Sequence, residues 1–226
     1  MPNDDLTGIA ALAEPARRRL YEYVVAQPDA VGREQAAEAV AVPVHTAKFH
    51  LDRLVDEGLL ETEFRRLSGK QGPGAGRPSK LYRRADREFA VSLPERRYDL
   101  VGHILASAFA RAHEGMPLSE ALEVTAAGEG VRLAEGSRID DPEELSRLGA
   151  VLATQGYEPR VEDDVLVLAN CPFDALAKEH TELVCGLNRS FVQGVADGLG
   201  CDVEACLEPE DGMCCVKGRA GGGLAS

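Results

Sequence analysis

The stretch from Arg33 to Gly58, REQAAEAVAVPVHTAKFHLDRLVDEG, decides the fold of the first half of the chain. Ala36, Ala37 and Val40 give its opening residues one apolar side, so 33–40 predicts a short helix. Ala41-Val42-Pro43 breaks that pattern as a turn. Pro43 suits the first turn of a second helix, where its missing N–H would have no partner anyway. Beyond it, Ala47, Leu51, Leu54 and Val55 recur at i, i+4, i+7 and i+8, the spacing of one helical face. Gly58 closes that helix, because glycine takes a left-handed cap without steric cost. With Ala47, Leu51 and Leu54 inward, Val44, His45, Lys48, Phe49 and Asp52 are left to project.

Upstream, residues 15–27 predict another helix, started by Pro15 and ended by Pro28. Leu20 and Val24, with Tyr21 and Tyr23, form its apolar side, and Arg17, Arg18 and Arg19 face out. Downstream, 59–66 and 80–84 read as two strands around a Gly/Pro-rich tip from Ser68 to Ser79. Helix, helix, turn, helix and basic hairpin is the order of a winged helix-turn-helix, whose last helix presents side chains to the major groove. His45, Thr46, Lys48 and Arg53 on that helix, with Arg77 and Lys80 on the wing, are the expected DNA contacts. His50 lies beside Leu51 and Leu54 and reads as a packed histidine. The slim Gly76-Arg77-Pro78 segment suits a guanidinium laid into a narrow minor groove.

Charge separates the two halves. The whole chain of 226 residues carries a net charge of -13. Residues 1–90 balance 14 basic against 14 acidic side chains, whereas residues 91–226 hold 11 against 24. Between residues 64 and 87 there are eight Lys/Arg and one acidic residue, Asp86. That local excess is a phosphate-binding footprint. The composition, 44% apolar and 28% charged, is that of a globular protein. No apolar run approaches the ~20 residues that span a bilayer, and no secretory signal is evident, so a cytoplasmic protein is expected.

The second half reads as α-β-β-α-α-β-β after two leading helices. Helices are expected over 96–114, 118–133 and 141–154, then a hairpin of 157–161 and 165–169. A short helix to His180, a longer one over 181–198 and a last hairpin of 203–208 and 214–217 follow. Such a string packs helices on a small antiparallel sheet, making the whole chain α+β. Three segments are expected: a DNA-binding domain over 1–88, a dimerisation and cysteine-rich sensor domain over 89–219, and a disordered tail over 220–226. The broad apolar surface of 96–114 suggests a dimer contact.

All six cysteines (Cys171, Cys185, Cys201, Cys206, Cys214 and Cys215) lie in this half. Cys171 precedes Pro172 at a helix start, and Cys185 falls near the first turn of the next helix. Unpaired N–H groups favour a thiolate at both places. Cys214 and Cys215 begin a strand, where neighbours point to opposite faces, so at most one is expected to share a pocket with Cys171 and Cys185. Cys206 shares a strand face with Glu204 and Glu208 and reads as outward-facing. The wide spacing lacks the close Cys pairs of structural zinc sites and suits ligands gathered from separate elements, as in many iron–sulfur sites; buried thiols without a metal remain the other reading.

The residues from His45 to Leu54 (HTAKFHLDRL) and from Gly72 to Tyr82 (GPGAGRPSKLY) resemble the ArsR/DeoR-like winged-helix repressors of the actinobacterial type. Asn170-Cys171-Pro172-Phe173, Glu179-His180, Leu183-Val184-Cys185 and Asp211-Gly212-Met213-Cys214 resemble the Suf-operon repressor family, which senses an iron–sulfur cluster. Together the two resemblances cover roughly residues 10–218. They imply a homodimer on a double-stranded operator, with a cluster, typically 4Fe–4S, on Cys171, Cys185 and Cys214. The chain departs from that pattern in three additional cysteines and no matching fourth ligand; Cys215, Cys201, His180 or a carboxylate are the candidates. A zinc- or thiol-responsive regulator is the alternative. An enzyme is not expected, since no nucleotide loop and no catalytic dyad stand out.

Overall fold

The computed structural model describes residues 2–66 and 78–221 and divides into two compact units, residues 1–91 and 92–226. The first contains α1 (Pro2–Ala11), α2 (Pro15–Val25), β1 (Val31–Gly32), α3 (Arg33–Val40), α4 (Val44–Asp56), β2 (Leu60–Arg65) and β3 (Ser79–Arg84). The Glu14 carboxylate caps α2, accepting from the Ala16 and Arg17 N–H groups at 3.1 and 2.6 Å. Leu20, Val24, Ala36, Ala37, Ala47, Leu51 and Leu54 bury the facing sides of α2, α3 and α4 in one core. Pro43 caps α4 rather than entering it.

The turn between α3 and α4 passes through Ala41 at φ 56° and ψ 50°. This left-handed conformation costs a residue with a Cβ roughly 1–2 kcal/mol. The small sheet is antiparallel in the order β1-β3-β2, with Tyr82 opposite both Val31 and Thr62. Helix α1 and the two-residue strand β1 are additions to the elements expected from sequence. Neither carries a readable period: α1 mixes Asp, Gly and Thr with its few apolar residues, and β1 is too short. The expected wing tip, including Lys70 and Arg77, lies largely outside the described residues.

The second unit contains α5 (Tyr98–His113), α6 (Leu118–Glu135), α7 (Glu144–Ala153), β4 (Pro159–Glu162) and β5 (Val165–Leu168). It continues with α8 (Asp174–Glu179), α9 (Thr181–Leu199), β6 (Val203–Leu207) and β7 (Val216–Ala220). Its antiparallel sheet runs β4-β5-β7-β6, and Leu148, Leu152, Leu166, Phe173, Phe191, Val195 and Val216 fill the core between sheet and helices. Helices α6 and α9 meet backbone to backbone. A Cβ on Gly194 would stand 2.1 Å from the Ala127 carbonyl oxygen, and one on Gly130 2.2 Å from that of Phe191.

Two expectations are corrected here. The last strand begins at Val216, so Cys214 and Cys215 sit in the bend before it and do not alternate across a pleat. The tail expected to be disordered from 220 starts later: Ala220 ends β7 and the Gly221 N–H donates to the Asp202 carbonyl at 2.7 Å. Residues 222–226 lie outside the described residues. No helix among the described residues is long and apolar enough to cross a membrane.

Two substitutions test these backbone constraints. Ala41→Gly releases the left-handed strain and is expected to stabilise the first unit by about 1 kcal/mol. Gly194→Ala forces α6 and α9 apart and is expected to cost about 1–3 kcal/mol or more. Urea unfolding followed by circular dichroism measures both. An unchanged midpoint for Gly194→Ala would show that the helices separate without cost.

Candidate nucleic-acid interface and thiol centre

Helix α4 buries Ala47, His50, Leu51 and Leu54 against its own unit. His45, Lys48, Phe49, Arg53 and Asp56 are exposed, and Thr46 and Asp52 are half-buried. Arg17, His45, Lys48, Phe49, Asp52, Arg53 and Asp56 line a cleft of about 610 Å³ along this face. His50 is packed, as its neighbours suggest: its Nδ1 accepts from Arg17 Nε at 3.4 Å and its Nε2 faces Glu14 at 3.5 Å.

Two expected DNA contacts have partners inside the protein. Arg53 is ion-paired with Glu57 one turn on. Lys80 does not stand free on the wing, because its Nζ donates to Asp52 Oδ1 at 2.6 Å. The Tyr82 hydroxyl donates to the same oxygen at 2.8 Å. Burial pushes the Asp52 carboxyl up, but the Lys80 and Tyr82 hydrogen bonds outweigh it and the net shift is downward. Burial and the Asp52 hydrogen bond raise the Tyr82 phenol. The triad therefore ties β3 of the wing to α4 through a carboxylate that stays ionised. Neither His45 nor Lys48 makes a side-chain hydrogen bond among the described residues.

In the second unit, three separate segments bring four thiols together. Cys171 sits in the loop from β5 to α8, Cys185 on α9, and Cys214 with Cys215 in the bend before β7. The Cys171 loop is clamped by Arg96, whose Nη1 donates to the Cys171 carbonyl at 3.0 Å and to Asn170 Oδ1 at 2.5 Å. The Cys214 N–H donates to the Leu168 carbonyl at 2.9 Å, fixing the bend to β5. The Cys214 thiol lies close enough to that of Cys171 to donate to its thiolate, and Cys185 stands in the same relation to Cys215. Both members of the Cys214-Cys215 pair thus join the group, against the expectation of one.

The energetics of this group are those of crowded, buried sulfur. The Cys214 hydrogen bond lowers Cys171 below an ordinary thiol against the opposing effect of burial, and the Phe173 N–H adds to it. Burial, then the neighbouring Cys215, pushes Cys185 up to about 12. Cys214 is pushed well above the ordinary range, first by Cys171 and then by burial. Asn188 Nδ2 donates to Cys214 Sγ at 3.2 Å, and the Tyr157 hydroxyl donates to Asn188 Oδ1 at 2.5 Å. Tyr157 is itself packed edge-on against Phe173, with ring centroids 6.3 Å apart. Among the described residues, no three His, Cys, Asp or Glu side chains are already gathered as one ion's ligand set.

The other candidates stand apart from this group. His180 is exposed at the junction of α8 and α9. Cys201 is buried beside Arg147, whose Nη2 donates to its sulfur at 3.4 Å. Cys206 lies on β6 near Glu204 and Glu208, and burial followed by those charges raises its thiol. Sequence reasoning missed Asn188 and Tyr157. The available signal was that Cys185, Asn188, Val192 and Val195 share one helical face, so the amide falls on a buried stripe.

Thiol reactivity checks the electrostatics in metal-free protein. A lowered pKa leaves more thiolate at a given pH, and the thiolate is the nucleophile. Cys171 is expected to alkylate first, with a rate–pH midpoint below that of free cysteine, whereas Cys185 gains reactivity only as pH approaches about 12. Peptide mass spectrometry across a pH series reads both; equal rates at Cys171 and Cys214 at every pH would contradict the assigned donor direction.

Residues 12–63, from the end of the α1 turn through most of β2, match the family described as a helix-turn-helix domain. No curated protein and no solved structure matches the chain. The matched segment coincides with the helices that bury the first core and expose the α4 face, and it is a regulator's domain rather than an enzyme's. The chain is a DNA-binding helix-turn-helix transcriptional regulator.

Proposed function

We propose that this regulator is a homodimeric repressor whose hold on its operator depends on an iron–sulfur cluster bound by Cys171, Cys185, Cys214 and Cys215. The observation that carries the reading is the meeting of four thiols from three segments in one mostly buried place. The donor set fits such a group. Four sulfurs this close cannot all ionise unaided, as the raised Cys185 and Cys214 thiols attest, and a polycationic iron core removes that penalty. An iron–sulfur cluster, when bound, supplies that positive charge and a centre that oxidants or iron shortage destroy. A single tetrahedral zinc, the alternative reading, would need sulfurs about 3.8 Å apart, from Zn–S bonds of about 2.3 Å; among the described residues the thiols stand as two pairs, from which either group would have to draw its ligands together.

The protein's own residues set the site's rigidity. Arg96 and Asn170 hold the Cys171 loop, the Leu168 carbonyl holds Cys214, and the Cys215 carbonyl accepts from the Glu208 N–H at 2.7 Å. Asn188 directs an N–H at Cys214, a donor that stabilises charge on that sulfur. The homodimer reading draws on α5, which leaves Phe109 61% exposed, and on the two half-sites that dimeric helix-turn-helix proteins read. In the DNA-binding unit, Lys48 and His45 are the contacts expected on α4, and Arg77 on the wing.

Anaerobically prepared protein is expected to be brown and to contain iron and sulfide. Cys171→Ser, Cys185→Ser, Cys214→Ser and Cys215→Ser are each expected to lose the visible absorption and weaken the operator complex, while Cys206→Ser keeps both. Colourless protein with zinc and no sulfide would establish the alternative. On the DNA side, Lys48→Ala and Arg77→Ala are expected to weaken binding, and each lost phosphate contact lowers the salt slope by about 1. Unchanged affinity for both across a salt series would remove this reading surface.

A further inference from the structure

We infer that Phe49 is a specificity-determining residue that reads a thymine methyl group in the major groove. The inference rests on the DNA-binding reading of α4 and deepens it, because it assigns the base chemistry that this helix selects.

The starting observation is an apolar ring where a charged surface is expected. Phe49 is 65% exposed on α4. It follows His45 by one turn and precedes Arg53 by one, and with Lys48 all four line the same cleft. Exposed apolar residues scattered singly are ordinary, so exposure alone decides nothing. The surroundings decide it. Asp52, one of the two carboxylates in the cleft, is turned to Lys80 and Tyr82 of the wing. Arg53 is engaged by Glu57, and Arg17 by the Ala11 carbonyl and His50. Toward the start of the helix this face therefore offers a base edge an imidazole, an ammonium and a phenyl ring beside a cleft of about 610 Å³, with the Asp56 carboxylate at its far end, seven residues beyond Phe49.

The ring is also held. Phe49 meets His50 edge-to-face, with centroids 5.3 Å apart at 66°. His50 is 9% exposed and fixed on both nitrogens: Nδ1 accepts from Arg17, so its proton sits on Nε2, which faces Glu14. A phenyl ring anchored this way loses little freedom when it meets a partner. Among base edges in the major groove, thymine alone presents an apolar group, its C5-methyl, and Phe is one of the side chains that contact it. Lys48 and His45 on the same face supply donors for phosphates and acceptor edges.

The test uses the full chain and a duplex that it selects from a randomised DNA pool. Each thymine of the selected half-site is replaced singly by deoxyuridine, which deletes one methyl and keeps every hydrogen-bonding group. At least one replacement is expected to weaken binding about fourfold, the factor for losing burial of one methyl-sized group. Phe49→Ala is expected to bind the thymine and uracil duplexes equally, and Phe49→Leu to keep part of the preference. The proposal is overturned if no replacement changes affinity, if the selected half-site lacks thymine, or if both variants keep the full preference. It is also overturned if Phe49→Ala changes the oligomeric state with its thymine preference intact, which would make Phe49 a subunit contact. A chain that selects no sequence above bulk DNA defeats the DNA-binding reading itself, and this inference with it.

Discussion

The second unit depends on how closely α9 lies against α6. Glycine at 130 and 194 lets the two backbones approach to a distance that no side chain would allow, and Gly198 continues the contact against Ala134 and Val131. Side-chain packing tolerates small shifts, but backbone contact at three points fixes both the height and the rotation of a helix. That matters because α9 carries Cys185 and Asn188 near its start. Rotation by one residue would turn the Asn188 amide out of the buried stripe and leave Cys214 without its donor. The glycines of α9 lie two turns or more beyond the thiol they position.

Tyr157, Asn188 and Cys214 form one buried polar chain, whereas Thr125 Oγ1 and Arg147 Nε of the same unit are buried without a partner among the described residues. Tyr157 donates to Asn188, and Asn188 donates to Cys214. Asn188 is 1% exposed and Cys214 2%, so a missing member would leave a donor or acceptor unpaired at a cost of about 1–3 kcal/mol. The chain has a direction: hydroxyl to amide oxygen, amide N–H to sulfur. It orients donors toward the sulfur, an arrangement suited to a thiolate or a metal-bound sulfur. The neutral thiol that its raised pKa implies for the metal-free protein gains less from it. The polar network is thus matched to a charge that Cys171 and burial oppose on the Cys214 sulfur.

Much of the first unit was legible in the sequence because its signals are local. The i, i+4, i+7 spacing of Ala47, Leu51 and Leu54 belongs to a single helix, and Gly58 does adopt a left-handed φ of 72°. His50 could be read as packed from its immediate neighbours. What the sequence hid is non-local. The Lys80–Asp52 pair joins residues 28 positions apart, so a lysine that counts toward a basic wing is in fact consumed by the helix beside it. In the second unit the cysteine positions and the α+β string were readable, but the pairing of Cys171 with Cys214 and of Cys185 with Cys215 was not. Strand alternation misjudged Cys214 and Cys215 because the strand starts one residue beyond them, and a bend obeys no two-residue period.

The Asp52 triad bears on what the α4 face can recognise. A free carboxylate there would favour cytosine N4 donors and repel phosphates. By accepting from both Lys80 and Tyr82, Asp52 is neutralised locally and withdrawn from that competition, while it fastens the wing strand to the reading helix. One ion pair therefore does two things: it sets where β3 lies relative to α4, and it removes an acidic reader from the surface. The basic excess counted along residues 64–87 overstates the cations available to DNA by at least this lysine. On the reading proposed above, recognition by the α4 face then falls to His45, Lys48 and Phe49, which line its cleft.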